Sequence, residues 1–187
     1  MVIARQASNE TAVGRAIVSG FPRQRDGVSC GPSVAVMGGA LLDPHYGAAL
    51  GSATAQAWFD AEQLRVHRTI NVVWPRALGA SPAGVARALT VHSSSRDVYY
   101  RWRPACGGGR LADVCDAVAA GWPVAMLIGS VIPRHWVLLT ELDGAVFRCY
   151  EPSGGELVDI PIEDIRGGRL SRLGFPRAFA FVVPCVK

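Results

Sequence analysis

The chain has 187 residues, half of them hydrophobic, with 19 Lys and Arg against 15 Asp and Glu for a formal charge of +4. A chain of this length buries enough surface for one sizeable core, so residues 1–187 are read as a single domain with 1–22 as an N-terminal arm. So small a basic excess, without a dense Lys/Arg run, makes no case for nucleic acid, and the longest apolar runs fall far short of the ~20 residues that cross a bilayer.

Residues 1–28 lack strong periodicity and read as an arm and loops. The stretch MVIARQASNETAVGRAIVSG holds no uninterrupted apolar run of signal-peptide length, so ordinary secretory export is not expected, and a specialised route stays open. SVAVMGGALL, from Ser33 to Leu42, is apolar nearly all round, which predicts a central enclosed helix. Gly38 and Gly39 cost that helix roughly 1 kcal/mol each, which points to a close neighbour. Tyr46 to Arg68 carries apolar residues at helical spacing, with Trp58 and Phe59 as expected core anchors. Ser81 caps a shorter helix that has Pro82 at its first position.

The second half changes period. DVYYRWR at 97–103 alternates as a strand, the glycine run 107–109 breaks it, and LADVCDAVAAG at 111–121 predicts a helix stopped by Gly121. PVAMLIG, HWVLLTEL, AVFRCYE, GELVDIP and AFAFVVP are then short β-rich runs, with Asp143-Gly144 supplying positive-φ positions to a hairpin turn. Arg166, Arg169, Arg172 and Arg177 lie in a segment read as a solvated basic loop. Helices first and an antiparallel sheet second is an α+β layout.

Five cysteines, Cys30, Cys106, Cys115, Cys149 and Cys185, contain no CxxC pair and suit neither a zinc site nor a disulfide framework. Reduced thiols, a cytoplasmic setting and no metal or other cofactor are expected. Cys30 stands at the start of the central helix, where unpaired N–H groups and the helix dipole favour a thiolate. A nucleophilic thiol needs an imidazole. His45, His67 and His92 sit near helix ends and read as surface or capping residues, whereas His135 opens a strand and can project at the rim of the sheet. Glu151 ends the following strand, and a hairpin between them returns it beside His135, where it can accept the second ring N–H. Glu141, on the histidine's own strand, is too far along to do so. Gln24, six positions before Cys30, can supply a side-chain amide to an oxyanion.

Gln24 to Gly31 (Q-x5-C-G), HWVLLTELDG at 135–144 and Tyr150-Glu151-Pro152 together resemble the papain-like cysteine peptidase superfamily, and most nearly its C39-like peptidases that trim leader peptides at double-glycine sites. The resemblance implies a papain-like fold in which Cys30 is nucleophile, His135 general base, Glu151 imidazole orienter and Gln24 oxyanion donor, acting on a peptide or protein substrate. Glu151 stands where that family usually has Asp or Asn, and Ser29 where an acid commonly precedes the cysteine. Bacterial effector proteases, amidases and acyl-transferring enzymes share the order. SUMO-protease-like enzymes place histidine first, and no histidine precedes Cys30. The expected function is a thiol hydrolase, with deamidation or acyl transfer on a target protein and a catalytically silent binding module as alternatives. The PSGG turn at 152–155 and the glycine run 107–109 read first as flexible turns, with the border of a substrate groove as the alternative.

Overall fold

The computed structural model describes residues 20–70, 79–105 and 111–186. The first nineteen residues of the expected arm and the glycine run 107–109 lie outside the described residues. Helix α1 (Cys30–Leu42) is followed by a short α2 (Pro44–Gly47), α3 (Ala55–Ile70) and α4 (Pro82–Ser93). Strand β1 (Val98–Pro104) and helix α5 (Ala112–Ala119) lead into β2 (Val124–Gly129), β3 (Pro133–Asp143), β4 (Val146–Glu151) and β5 (Glu156–Pro161). Helix α6 (Ile162–Gly167) and β6 (Arg177–Val186) complete the order. The six strands form one antiparallel sheet in the order β1-β6-β2-β3-β4-β5, so the chain has the expected α+β architecture.

The apolar character of α1 has a direct cause. Every residue from Cys30 to Leu42 except Leu41 is buried, because α3, α4 and β3 all pack on it. Cβ atoms at Gly38 and Gly39 would lie 2.6 Å from Leu89 and 2.7 Å from His92, so the two glycines let α4 approach where larger residues would hold it off. Ser81 accepts a hydrogen bond from the Gly84 N–H at 3.1 Å and caps α4 with Pro82 behind it, as its sequence predicts. Strand β2 is buried along its whole length, which requires cover on both faces, and α1 and α5 both pack on it.

Five expectations are corrected. The helix expected over 46–68 is divided: Asp43 caps α2 by accepting from His45 N and Tyr46 N, a 3₁₀ turn follows at Ala48–Gly51, and α3 begins only at Ala55. Phe59 is fully buried, but Trp58 is only half-buried, edge-on to Tyr46 at 5.3 Å. His67 is no surface residue; it belongs to the inner face of α3 with Phe59, Gln63, Val66 and Ile70, and is buried. In the β3–β4 hairpin Gly144 alone has a positive φ, of 55°, while Asp143 stays extended and pairs with Val146. The basic segment is not a free loop, since α6 and a 3₁₀ turn at Ser171–Leu173 run through it, Leu170 and Leu173 are buried, and Arg166 and Arg169 pair with Glu163 and Asp164.

Candidate active site

Cys30 is the first residue of α1, where the helix offers backbone N–H groups that have no carbonyl one turn back. The turn before it is built by Asp26, whose carboxylate accepts from the Val28 N–H at 3.1 Å and the Ser29 hydroxyl at 2.5 Å. Ser29 therefore takes part in an acid-centred turn in which the carboxylate stands three residues upstream.

His135 reaches the site from the start of β3, and its partner from the end of β4. The hairpin pairs Leu138 with Tyr150 and Leu139 with Cys149, which brings Glu151 to the same rim of the sheet. His135 Nε2 and Glu151 Oε1 are 2.6 Å apart and both groups are buried. The added methylene of glutamate is accommodated by its own turn: Ser153 N donates to Oε1 at 2.9 Å and Gly154 N to Oε2 at 2.6 Å. The PSGG segment thus binds the carboxylate, a role that its sequence did not suggest. Glu141, the rival acid, is exposed and pairs with Arg148 on the neighbouring strand.

The Cys30 thiol faces the same imidazole and raises it together with Glu151. With Nε2 directed at Glu151, Nδ1 is the nitrogen left for the sulfur. Burial pushes the His135 imidazole down, but Cys30 and Glu151 outweigh it and hold the group up at about 9. Burial likewise pushes Glu151 up, and the His135 bond with the two backbone N–H donors pulls it down to about 2. An ionised carboxylate facing a strongly basic imidazole that faces a thiol is an arrangement able to move a proton off sulfur.

Gln24 lies on the loop that enters α1. Its backbone N–H donates to Pro152 O at 2.7 Å, and its side-chain Nε2 to Asp26 O at 2.9 Å, leaving the second amide N–H unspent. The loop is tied closely to the Glu151 turn. Tyr150 OH donates to Pro22 O at 2.7 Å and Arg23 Nε to Gly154 O at 2.8 Å. Gly155, at φ 63°, sits so near that a Cβ there would lie 2.5 Å from Phe21 O. The site is walled by Trp136, whose indole N–H donates to Ala80 O at 3.0 Å, and by Phe175, whose ring centre is 6.0 Å from that of His135. Cys30, His135 and Glu151 are therefore brought together, with Gln24 on the loop bound to the Glu151 turn. Among the described residues no three His, Cys, Asp or Glu side chains group as metal ligands. No helix among them is long and apolar enough to cross a membrane.

No family model matches the chain, and neither does any curated protein. Solved structures do. A double-glycine-motif protease from an AMS/PCAT transporter, in complex with the leader peptide, is 14% identical with a TM-score of 0.48, over 89% of this chain and 91% of that one. The peptidase domain of Streptococcus ComA, a bifunctional ABC transporter of a quorum-sensing pathway, is 14% identical with a TM-score of 0.47, over 90% and 98%. The Pseudomonas avirulence protein AvrPphB is 13% identical with a TM-score of 0.45, over 88% and 96%. These matches include peptidases of the kind that the sequence motifs resemble, at a likeness too low to transfer function, so the chemistry of this chain rests on its own residues.

Proposed function

We propose that the chain is a papain-like thiol hydrolase that cleaves a peptide or isopeptide bond through Cys30, His135 and Glu151, with Gln24 as oxyanion donor. The observation that carries this reading is one buried imidazole that is bonded to an ionised carboxylate and raised by a thiol at a helix N-terminus. The thiol proton already resides on His135 when sulfur adds to the carbonyl carbon, and the negative charge that builds on oxygen meets the second N–H of Gln24 Nε2 and the Cys30 N–H. Collapse of the tetrahedral intermediate breaks the C–N bond, and His135 returns the proton to the leaving amine. Water, deprotonated by His135, then releases the acyl group from sulfur. Glu151 accepts a hydrogen bond from Nε2–H throughout, which fixes the tautomer that turns Nδ1 to the thiol.

Deamidation and acyl transfer pass through the same acyl-enzyme and differ in the leaving group or the acceptor, so the mass of the product separates them from cleavage. A reducing, cytoplasm-like compartment belongs to the proposal because the nucleophile must stay a thiol. The test is labelling with a peptidyl acyl electrophile followed by peptide mapping. The adduct is expected on Cys30 and lost in Cys30→Ala; equal labelling of that variant overturns the reading.

A further inference from the structure

Two glutamines of α3, which belong to no motif, grip the loop that carries Gln24. We infer that Gln63, assisted by Gln56, is a positioning residue that holds the oxyanion-donor loop in register with the nucleophile helix; this rests on the hydrolase reading above.

The two residues are seven apart, which places them on one face of α3 two turns from each other. Gln56 Oε1 accepts from Arg23 N at 2.9 Å and its Nε2 donates to Arg23 O at 3.1 Å. Gln63 Oε1 accepts from Arg25 N at 2.9 Å. The backbone is thus fixed on both sides of Gln24. Asp60, between the glutamines, accepts from Gln56 Nε2 at 2.8 Å and Gln63 Nε2 at 3.4 Å; both nitrogens also donate to Arg23 O, so each amide nitrogen is shared between the carboxylate and the loop while both oxygens face the loop. Gln63 does more than Gln56. It is 1% exposed, and the same Oε1 receives the hydroxyl of Ser33 at 2.8 Å, one turn along α1 from Cys30. One buried amide oxygen therefore touches both the loop that offers the oxyanion donor and the helix that offers the sulfur. A buried amide is costly unless its bonds are made, and an apolar side chain here would strand the Arg25 N–H and leave the Ser33 hydroxyl only Ser29 O, at 2.7 Å.

A positioning role separates from a merely structural one by the demands of two reagents. Iodoacetamide alkylates Cys30 as the S–C bond forms and iodide leaves, with no charge on a carbonyl oxygen. p-Nitrophenyl acetate acylates it through a tetrahedral oxyanion, with the thiol proton already on His135 and p-nitrophenolate leaving. Gln63→Met is expected to slow acylation about tenfold and exposed Gln56→Ala about threefold, with alkylation of both within about twofold of wild type. An equal fall in both rates, or no fall in acylation, overturns the inference. Should Gln63→Met fail to fold, Gln56→Ala alone decides. If Cys30→Ala is acylated as fast as wild type, the hydrolase reading falls and takes this inference with it, an outcome distinct from unchanged acylation in the glutamine variants.

Discussion

Two imidazoles in this protein face a carboxylate, and their environments drive them in opposite directions. His135 lies 2.6 Å from Glu151, and the thiol and the carboxylate together overcome burial. His92 lies 3.7 Å from Asp43, stacks on Tyr46 at 4.1 Å between ring centres, and falls below the ordinary value because burial outweighs its acid. The neighbours explain the contrast: the Cys30 thiol raises His135 most and Glu151 next, whereas Arg65 adds to the burial that lowers His92. Glu151 has a side chain 12% exposed and lies 2.6 Å from its ring, whereas that of Asp43 is 38% exposed and lies 3.7 Å from its ring. A histidine near an acid is therefore no sign of proton transfer; a short bond in a low-dielectric setting, with a nucleophile on the other nitrogen, is.

The comparison is broken most severely by His135→Ala, which should lower acyl transfer by at least about 10³-fold in a thioester- or peptide-cleavage assay. Glu151→Gln keeps the shape but removes the charge that selects the tautomer, and a loss of about 10²-fold in turnover is expected from the same assay. Gly155→Ala attacks the coupling of the two loops. With φ at 63° and Phe21 O in the way, the variant should lose about tenfold in turnover and 1–2 kcal/mol, roughly, in urea unfolding.

Stability against pH sharpens the contrast between the histidines. His135 holds its proton up to about 9 in the folded state against an ordinary 6.5, so its contribution is complete below pH 6.5 and is lost as the pH climbs through 9. His92 is shifted the other way, so its contribution is present above pH 6.5 and fades as the pH drops through its folded value. Urea unfolding across pH should show the advantage of wild type over His135→Ala shrinking on the alkaline side, and that over His92→Gln shrinking on the acid side. The smallest effect is on activity. His92→Gln should leave turnover within about twofold of wild type, because its ring packs against Tyr46 and Gly39 and has no place in the proton path.

Much of the candidate site was legible because its signals are local. Cys30 at a helix start, His135 at a strand start and Glu151 one hairpin later each follow from periodicity and turn chemistry, and the apolar run SVAVMGGALL announced its own enclosure. What escaped depends on contacts distant in sequence. Gln56 and Gln63 read as ordinary polar positions on a helix, because their partners at Arg23, Arg25 and Ser33 lie 30 to 38 residues away. His67 read as a helix-end residue because single-sequence spacing does not show which face of α3 turns inward. The division of the 46–68 helix was missed for a related reason: Gly47 packs on Ala40, a contact that α1 must first be in place to make. The PSGG turn reads as flexible in sequence because nothing local shows that the Ser153 and Gly154 N–H groups bind Glu151.

The linkage of Cys30, His135 and Glu151 is tested most directly by following the His135 imidazole resonances against pH in wild type, Cys30→Ala and Glu151→Gln. The wild-type ring should titrate near 9, and removal of either partner should move it toward the ordinary 6.5. A ring that titrates near 6.5 in all three proteins would contradict the account.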